Sequence, residues 1–406
     1  MDRPLRFCMI TTFYPPYTLG GDGIFVHRLA NELGRRGHQV EVIHCLDSFR
    51  LLASNEPTFT YKDHPNVTVH GLKSRFGLLS PLATQQTGFP FFKSSRIKKI
   101  LEKGFDVIHY HNISLVGGPK ILEYGEGIKF YTMHEHWLIC PTHTLFRFNR
   151  AACTRPYCFA CGLTYRRPPQ WWRYLHLLEA SVRHVNAFIG LSRFAKGIHL
   201  RMGLNIPIVH IPGFVPEAEV VSVDQVKEPF FLFVGRLEKL KGLQTLIPIF
   251  RRYRKAQLLI AGKGNYEPRL RQLTEGSSNI RFLGYLSGQQ LQAFFRQAVA
   301  LIVPSICFEI FPLVIIEAFR QQTPVIVRNL GGIPELIEES GGGFVYNTEE
   351  ELVAAMDWLL ADSSYRHELG LRGYEAYLRN WTAEAHLKRY FELIHEIAMA
   401  RGQKLD

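Results

Sequence analysis

The run SICFEIFPLVIIEAF, Ser305 to Phe319, sets two carboxylates, Glu309 and Glu317, in an otherwise apolar stretch. An unpaired carboxylate is costly to bury, so each needs a partner or a task. Ile302–Pro304 reads as the end of a buried strand and Val314–Arg320 as a helix. Glu309 then falls in the connecting loop and Glu317 about two helical turns further on. Both face the crevice above the carboxyl end of a strand, where open α/β sheets take up ligands.

Around this run the strand and helix signals alternate. In the first half, strands read at Leu5–Thr11, Val40–His44, Val67–Gly71, Asp106–Tyr110, Phe130–His134 and Ala187–Leu191, with helical stretches between them, including Trp171–His184. The pattern restarts with strands at Phe230–Val234, Gln257–Ala261, Ile280–Leu283, Ala300–Val303 and Pro324–Val327. Alternation of this kind predicts parallel sheets covered on both faces. The chain has 406 residues, too many for one ordinary core and suited to two domains. The expected division is 1–215, with a cysteine-rich insert at about 140–161, then 216–385. A C-terminal helix at 386–406 is expected to pack back toward the first domain. His210–Pro229, with three prolines and a run of charges, reads as the linker. Two such domains facing each other would enclose a deep cleft, a preferred ligand site.

Composition narrows the class. Apolar residues make up 46%, and no uninterrupted run is long enough to span a bilayer. The apolar stretch at the start is too short for a signal peptide, and seven unevenly spaced cysteines fit a reducing compartment, so a cytoplasmic location is expected. The net charge of +12 is lopsided: residues 1–215 carry 26 Lys+Arg against 13 Asp+Glu, the remainder 22 against 23. A basic half suits an anionic surface, whether lipid, acidic polymer or nucleic acid; a solvated face without a partner is the plain alternative.

The first strand of the second half runs into FVGRLEKLKG, Phe233 to Gly242. Gly235 allows a sharp turn, and Arg236 and Lys241 then project near the strand's carboxyl end as a diphosphate clamp. With Glu309 and Glu317, and Gly331-Gly332-x-Pro334-Glu335 after the next strand, the set is specific. The chain resembles glycosyltransferase family four, the retaining nucleotide-sugar transferases of the GT-B fold. GGDGIFVHRLANELGRRGHQVEV (Gly20 to Val42), DVIHYHN (Asp106 to Asn112) and YTMHEHWLICP (Tyr131 to Pro141) extend the resemblance over nearly the whole length.

That resemblance implies two doubly wound, Rossmann-like domains across a deep cleft, and a role for each marked residue. Glu317 would bind the donor ribose and Glu309 the donor sugar. Arg236 and Lys241 would clamp the phosphates, with amides at Phe311 and Leu313 beside them. Gly20 and Gly21 resemble the glycine loop near phosphate and acceptor, His134 the histidine that reaches the donor sugar, and the loop at Gly284 and Tyr285 the passage for the base. His109 and His111 share a face, as acceptor-side groups or as wall. The implied reaction moves a sugar from a nucleotide-diphospho-sugar to a hydroxyl acceptor, a lipid-linked or cell-surface glycan precursor, with retention and without a catalytic metal. Gln322 stands where the family commonly has glycine, so that helix end is expected to close differently.

Cys140, Cys153, Cys158 and Cys161 lie within about 22 residues, enough thiolates for a structural zinc. Reduced thiols or a redox-labile pair are the alternatives. The stretch FPFFKSSRIKKILEKG, Phe89 to Gly104, mixes aromatics with five cations. As a helix it reads as an anionic-membrane contact, peripheral on the cytoplasmic face, or as ordinary cover for the sheet. Two other classes stay open: a non-catalytic nucleic-acid or glycan binder using the basic half, and a nucleotide-sugar epimerase. No basic-aromatic recognition motif supports nucleic acid as partner.

Overall fold

The computed structural model describes residues 3–53, 56–57, 60–217, 226–286 and 288–403. Residues 218–225 of the expected linker lie outside the described residues. The chain forms two units, one of residues 1–212 with 386–406, the other of 213–385.

The first unit carries β1 (Arg6–Ile10), β2 (Gln39–Cys45), β3 (Val67–Leu72), β4 (Val107–Tyr110) and β5 (Ile128–Met133). A two-stranded hairpin, β6 (Phe146–Arg147) and β7 (Ala151–Ala152), follows, then β8 (Ala187–Gly190) and β9 (Ile208–His210). Seven strands form one sheet in the order β3-β2-β1-β4-β5-β8-β9, every neighbouring pair parallel. The second unit holds β10 (Phe230–Val234), β11 (Gln257–Ala261), β12 (Ile280–Gly284), β13 (Ala300–Val303), β14 (Val325–Arg328) and β15 (Gly343–Tyr346). They pair, again in parallel, in the order β12-β11-β10-β13-β14-β15.

The central strands are buried over most of their length: FFLFV of β10, ALIV of β13 and VIHY of β4. Helices cover both faces of these central strands, and this is why they read as continuous apolar runs, while outer strands such as β3 and β12 carry polar positions. In each sheet the strand order reverses once, between β1 and β4 and between β10 and β13. Loops leaving those strands diverge at their carboxyl ends and open a crevice there.

Several local expectations are corrected. Trp171–His184 is not one helix. A 3-10 turn at Trp171–Tyr174 and a helix at Leu177–Val182 are separated by His176, whose φ of 54° is left-handed. The stretch from Phe89 to Gly104 is a turn at Phe91–Lys93 followed by the helix Ser94–Leu101. The helix Leu313–Arg320 closes in the ordinary way despite lacking glycine. Gln322 itself adopts φ 57°, and the Thr323 amide donates to Ala318 O at 3.0 Å, the reach of a Schellman turn. The C-terminal helix Ala383–Ala400 belongs from His386 on to the first unit, where Tyr390 stacks on Phe7 and His109.

Candidate functional site

In the second unit the site is built by loops leaving β10, β11 and β13. Gly235 ends β10, and its amide donates to Ala261 O at 3.1 Å. Gly262 follows β11 and donates to Gly284 O at 2.7 Å. A Cβ on Gly262, whose φ is +141°, would lie 1.9 Å from Gly235 O. Only glycine therefore lets these loops close into one shelf. Gly242 does the same for the next loop: at φ +76°, its added Cβ would meet Pro304 O at 1.9 Å. The Ile306 amide also bonds Leu240 O at 2.9 Å, pinning the loop after β10 to the loop after β13.

This close approach brings Lys241 Nζ to 2.8 Å from Glu309 Oε1. The side chains are 26% and 13% exposed. Ser305 Oγ donates to the same carboxylate oxygen, and the Gly332 amide donates to Glu309 O at 2.9 Å. Burial opposes the Glu309 charge, but Lys241, Ser305 and the Arg236 guanidinium outweigh it and hold the carboxyl below its usual value. Burial likewise opposes the ammonium, and Glu309 outweighs it, so Lys241 is raised. Arg236 bonds Glu238 Oε1 through Nη1 at 2.7 Å and is half exposed. Two cations thus meet one carboxylate at the sheet's reversal.

Of the expected donor-side residues, Arg236, Lys241 and Glu309 form one electrostatic group, and Gly235 and Gly284 join through Gly262. Glu317, partly buried, lies on the second turn of the helix that Leu313 opens. First-turn amides of a helix have no intrahelical acceptor, which leaves the Leu313 end able to take an anion. Phe311 is partly buried just before it, and Tyr285 is 47% exposed after Gly284. Sequence reasoning missed Ser305 and Gly262; a small residue within two positions of each strand end was their signal.

In the first unit Gly20 precedes, and Gly21 opens, the helix Gly21–Arg35 that follows β1. Asp22 in its first turn accepts from Asn112 Nδ2 at 3.0 Å, just past β4. His134, just past β5, meets His111 Nδ1 through Nε2 at 3.0 Å, with the Phe25 ring at 4.9 Å. Burial lowers His134 to about 4, with Asp22 partly opposing that shift. The imidazole is therefore neutral near pH 7. Asp22, Asn112 and the His111 contact were missed, although an acidic residue in a first helical turn was visible in GGDG.

His109 and His111 are interior residues of this unit, 1% and 0% exposed, with ring centroids 4.0 Å apart. His109 bonds Thr132 Oγ1 at 2.7 Å and Tyr390 OH at 3.0 Å. His386 lies 2.8 Å from Pro212 O through Nδ1. Desolvation lowers all three.

Cys140, Cys153, Cys158 and Cys161 all line one small cavity beside the β6–β7 hairpin. The Phe148 amide donates to Cys161 Sγ at 3.3 Å. All four are free thiols, and Cys153 and Cys158 are raised, by burial first and then by neighbouring thiols. Among the described residues no three His, Cys, Asp or Glu side chains are arranged to hold a metal ion.

Among the described residues no helix is long and apolar enough to cross a membrane. The family description "Glycosyltransferase Family 4" matches residues 19–219, and "Glycosyl transferases group 1" matches 216–376. An uncharacterized glycosyltransferase of Methanocaldococcus jannaschii is 34% identical over 150 residues, 35% of this chain and 38% of that protein. The chain thus spans under two-fifths of that relative's length. Glycogen synthase of Mycobacterium tuberculosis is 26% identical over 365 residues, 82% of this chain and 80% of its own. Among solved structures, sucrose-phosphate synthase from Thermosynechococcus elongatus superposes with a TM-score of 0.76 at 20% identity, covering 98% of this chain and 100% of that one. Anabaena HepE, in complex with UDP and glucose, superposes at 0.67 and 15%, covering 97% and 100%. With two parallel-sheet units, a cationic group at the second sheet's reversal and both family descriptions matched end to end, the chain belongs to the family-four glycosyltransferases of the GT-B fold.

Proposed function

We propose that the protein transfers a sugar from a nucleotide-diphospho-sugar to a hydroxyl of a glycan or lipid-linked acceptor, with retention at the anomeric carbon. The observation that carries this reading is the Lys241–Glu309 pair beside Arg236 at the carboxyl end of β10 and β13. The UDP and glucose in the HepE complex support a nucleotide-sugar as donor.

In this reading the bond between the anomeric carbon and the phosphate oxygen breaks, and its electron pair leaves with the nucleoside diphosphate. Lys241 and Arg236 stabilise that growing negative charge, so the reaction needs no bridging metal. The acceptor oxygen bonds the anomeric carbon from the same face, and its proton passes to the departing phosphate oxygen. Glu309, kept ionised by Lys241, accepts hydrogen bonds from sugar hydroxyls, and Glu317 from the ribose. His134 is neutral at pH 7, so it serves as a hydrogen-bonding partner of the donor sugar rather than as a cation.

The test is a thermal-shift panel of UDP-, GDP- and ADP-sugars, followed by assay of diphosphate release with candidate acceptors. A ligand bound to the native state raises the melting temperature by mass action. A shift with one donor, abolished in Glu317→Ala, supports the reading. Diphosphate released only when acceptor is present separates transfer from epimerisation. No shift with any donor overturns it.

A further inference from the structure

Four histidines gather in the first unit: His109 on β4, His111 just past it, His134 just past β5 and His386 on the C-terminal helix. Their ring nitrogens are satisfied in different ways. His386 Nδ1 faces the Pro212 carbonyl oxygen, which only accepts, so its proton is on Nδ1. His109 meets hydroxyls on both sides, Thr132 Oγ1 and Tyr390 OH. A hydroxyl both donates and accepts, so either form of His109 fits.

His111 is the exception. Its Nδ1 lies 3.0 Å from His134 Nε2, and its Nε2 is buried with no partner among the described residues. The side chain is 0% exposed, stacked on His109 with the Phe25 ring beyond. Burial holds both His111 and His134 below their ordinary value, so both rings are neutral near neutral pH.

A neutral imidazole carries one N–H and one bare nitrogen. A hydrogen bond between two of them needs the N–H on one side of the contact and the bare nitrogen on the other. Two arrangements meet that condition. If His134 Nε2 donates, His111 Nδ1 is bare and the His111 proton is on Nε2. That leaves a buried N–H facing no acceptor, a situation native structures rarely tolerate. If His111 Nδ1 donates, the unpartnered Nε2 is a bare nitrogen, and no buried donor is left over. The bond made by one ring nitrogen decides the state of the other. His134 then accepts through Nε2 and carries its own proton on Nδ1. The His134 ring is partly exposed at the carboxyl end of β5.

We propose that His111 is a positioning residue that fixes His134 as its Nδ1–H tautomer, so that His134 presents a hydrogen-bond donor to the ligand. That the ligand is a donor sugar rests on the transferase reading; the tautomer does not. An Nδ1–H calls for an oxygen that accepts, such as a sugar hydroxyl, and disfavours a protonated amino group at the position it meets.

The test is long-range proton–nitrogen correlation spectroscopy of the full chain labelled with nitrogen-15 histidine, near neutral pH and without ligand. The two neutral tautomers give different correlation patterns, and the His134 signals are those lost in His134→Gln. Wild-type His134 is expected in the Nδ1–H form. His111→Phe keeps a flat ring but removes the donor, and should move His134 toward the Nε2–H form that free histidine prefers. His111→Asn places an amide N–H close to the position of Nδ1 and should restore the Nδ1–H form. In the diphosphate-release assay His111→Phe should lower kcat/KM about tenfold, the loss of one hydrogen bond, and His111→Asn should recover most of it. Wild-type His134 in the Nε2–H form overturns the proposal, and the wild-type spectrum alone decides this if a variant does not fold. An Nδ1–H signal that persists in a folded His111→Phe chain overturns it as well. A tautomer that switches while kcat/KM stays unchanged upholds the proposal and removes His134 from the donor sugar, a failure of the transferase reading alone.

Discussion

Lys241 and Glu309, 68 residues apart, hold each other at 2.8 Å between the loops that leave β10 and β13. Replacing Lys241 by alanine leaves a mostly buried carboxylate without its main cation. The expected cost is about 1–3 kcal/mol of stability and roughly 100-fold or more in turnover. The double variant with Glu309→Ala should recover part of the stability but none of the activity. Chemical denaturation and diphosphate release are the measurements, and wild-type turnover by Lys241→Ala removes the clamp assignment.

The buried histidines set an acid limit on the first unit. His134 and His386 sit at about 4 in the folded chain, against the ordinary 6.5, and desolvation is the cause. Between those values the unfolded chain binds more protons than the folded one. Their contribution is therefore complete above 6.5 and is lost as pH falls toward 4, by up to about 1.4 kcal/mol per pH unit for each histidine. His386→Asn should flatten the pH dependence of the unfolding free energy between pH 6 and pH 4. An unchanged slope would contradict this account.

Gly262→Ala tests the shelf between β10 and β11. Its Cβ has no room beside Gly235 O, so the variant should lose at least about 2 kcal/mol, or move the loop that carries Arg236. A control at Gly276, which has φ +74° but open space around it, should cost only about 1 kcal/mol. Equal melting temperatures for the two variants would refute the argument from close approach.

Tyr390→Phe removes one hydrogen bond to His109 and little volume, for an expected cost of about 1 kcal/mol. Tyr390→Ala also empties the space against Phe7 and Phe130 and should cost about 3–5 kcal/mol. Near-equal losses in the two variants would mean the ring does not pack as found.

Much of the fold was legible because parallel strands buried on both faces read as apolar runs with polar stops. The strands at Phe230, Gln257 and Ala300 began where expected. Of the four missed strands, two make the short β6–β7 hairpin and two lie at sheet edges. Ile208–His210 ran into the proline-rich linker, and Gly343–Tyr346 began inside a glycine triplet that reads as loop. Arg236, Lys241 and Glu309 were visible as a motif, but their contact was not, because it depends on β10 lying beside β13. His109 could not be assigned in advance: the aromatic side chain stacked on it, Tyr390, lies about 280 residues downstream. Gln322 defeated the expectation at its helix end because neighbouring Gly370 leaves room for its backbone in the left-handed turn.

The return of residues 386–406 to the first unit has a consequence for biosynthesis. A ribosome finishes β1, β4 and β5 early, yet the Tyr390 ring that covers Phe7, His109 and Phe130 is still untranslated. The whole of 213–385 must emerge first, which at ordinary elongation rates takes roughly 10–35 s. Through that interval the nascent first sheet exposes an apolar strip, so the second unit is free to fold before the first is complete. Fragments ending near residue 212 should accordingly be poorly soluble, while 213–385, whose strands and covering helices are contiguous in the chain, is the segment suited to be produced alone.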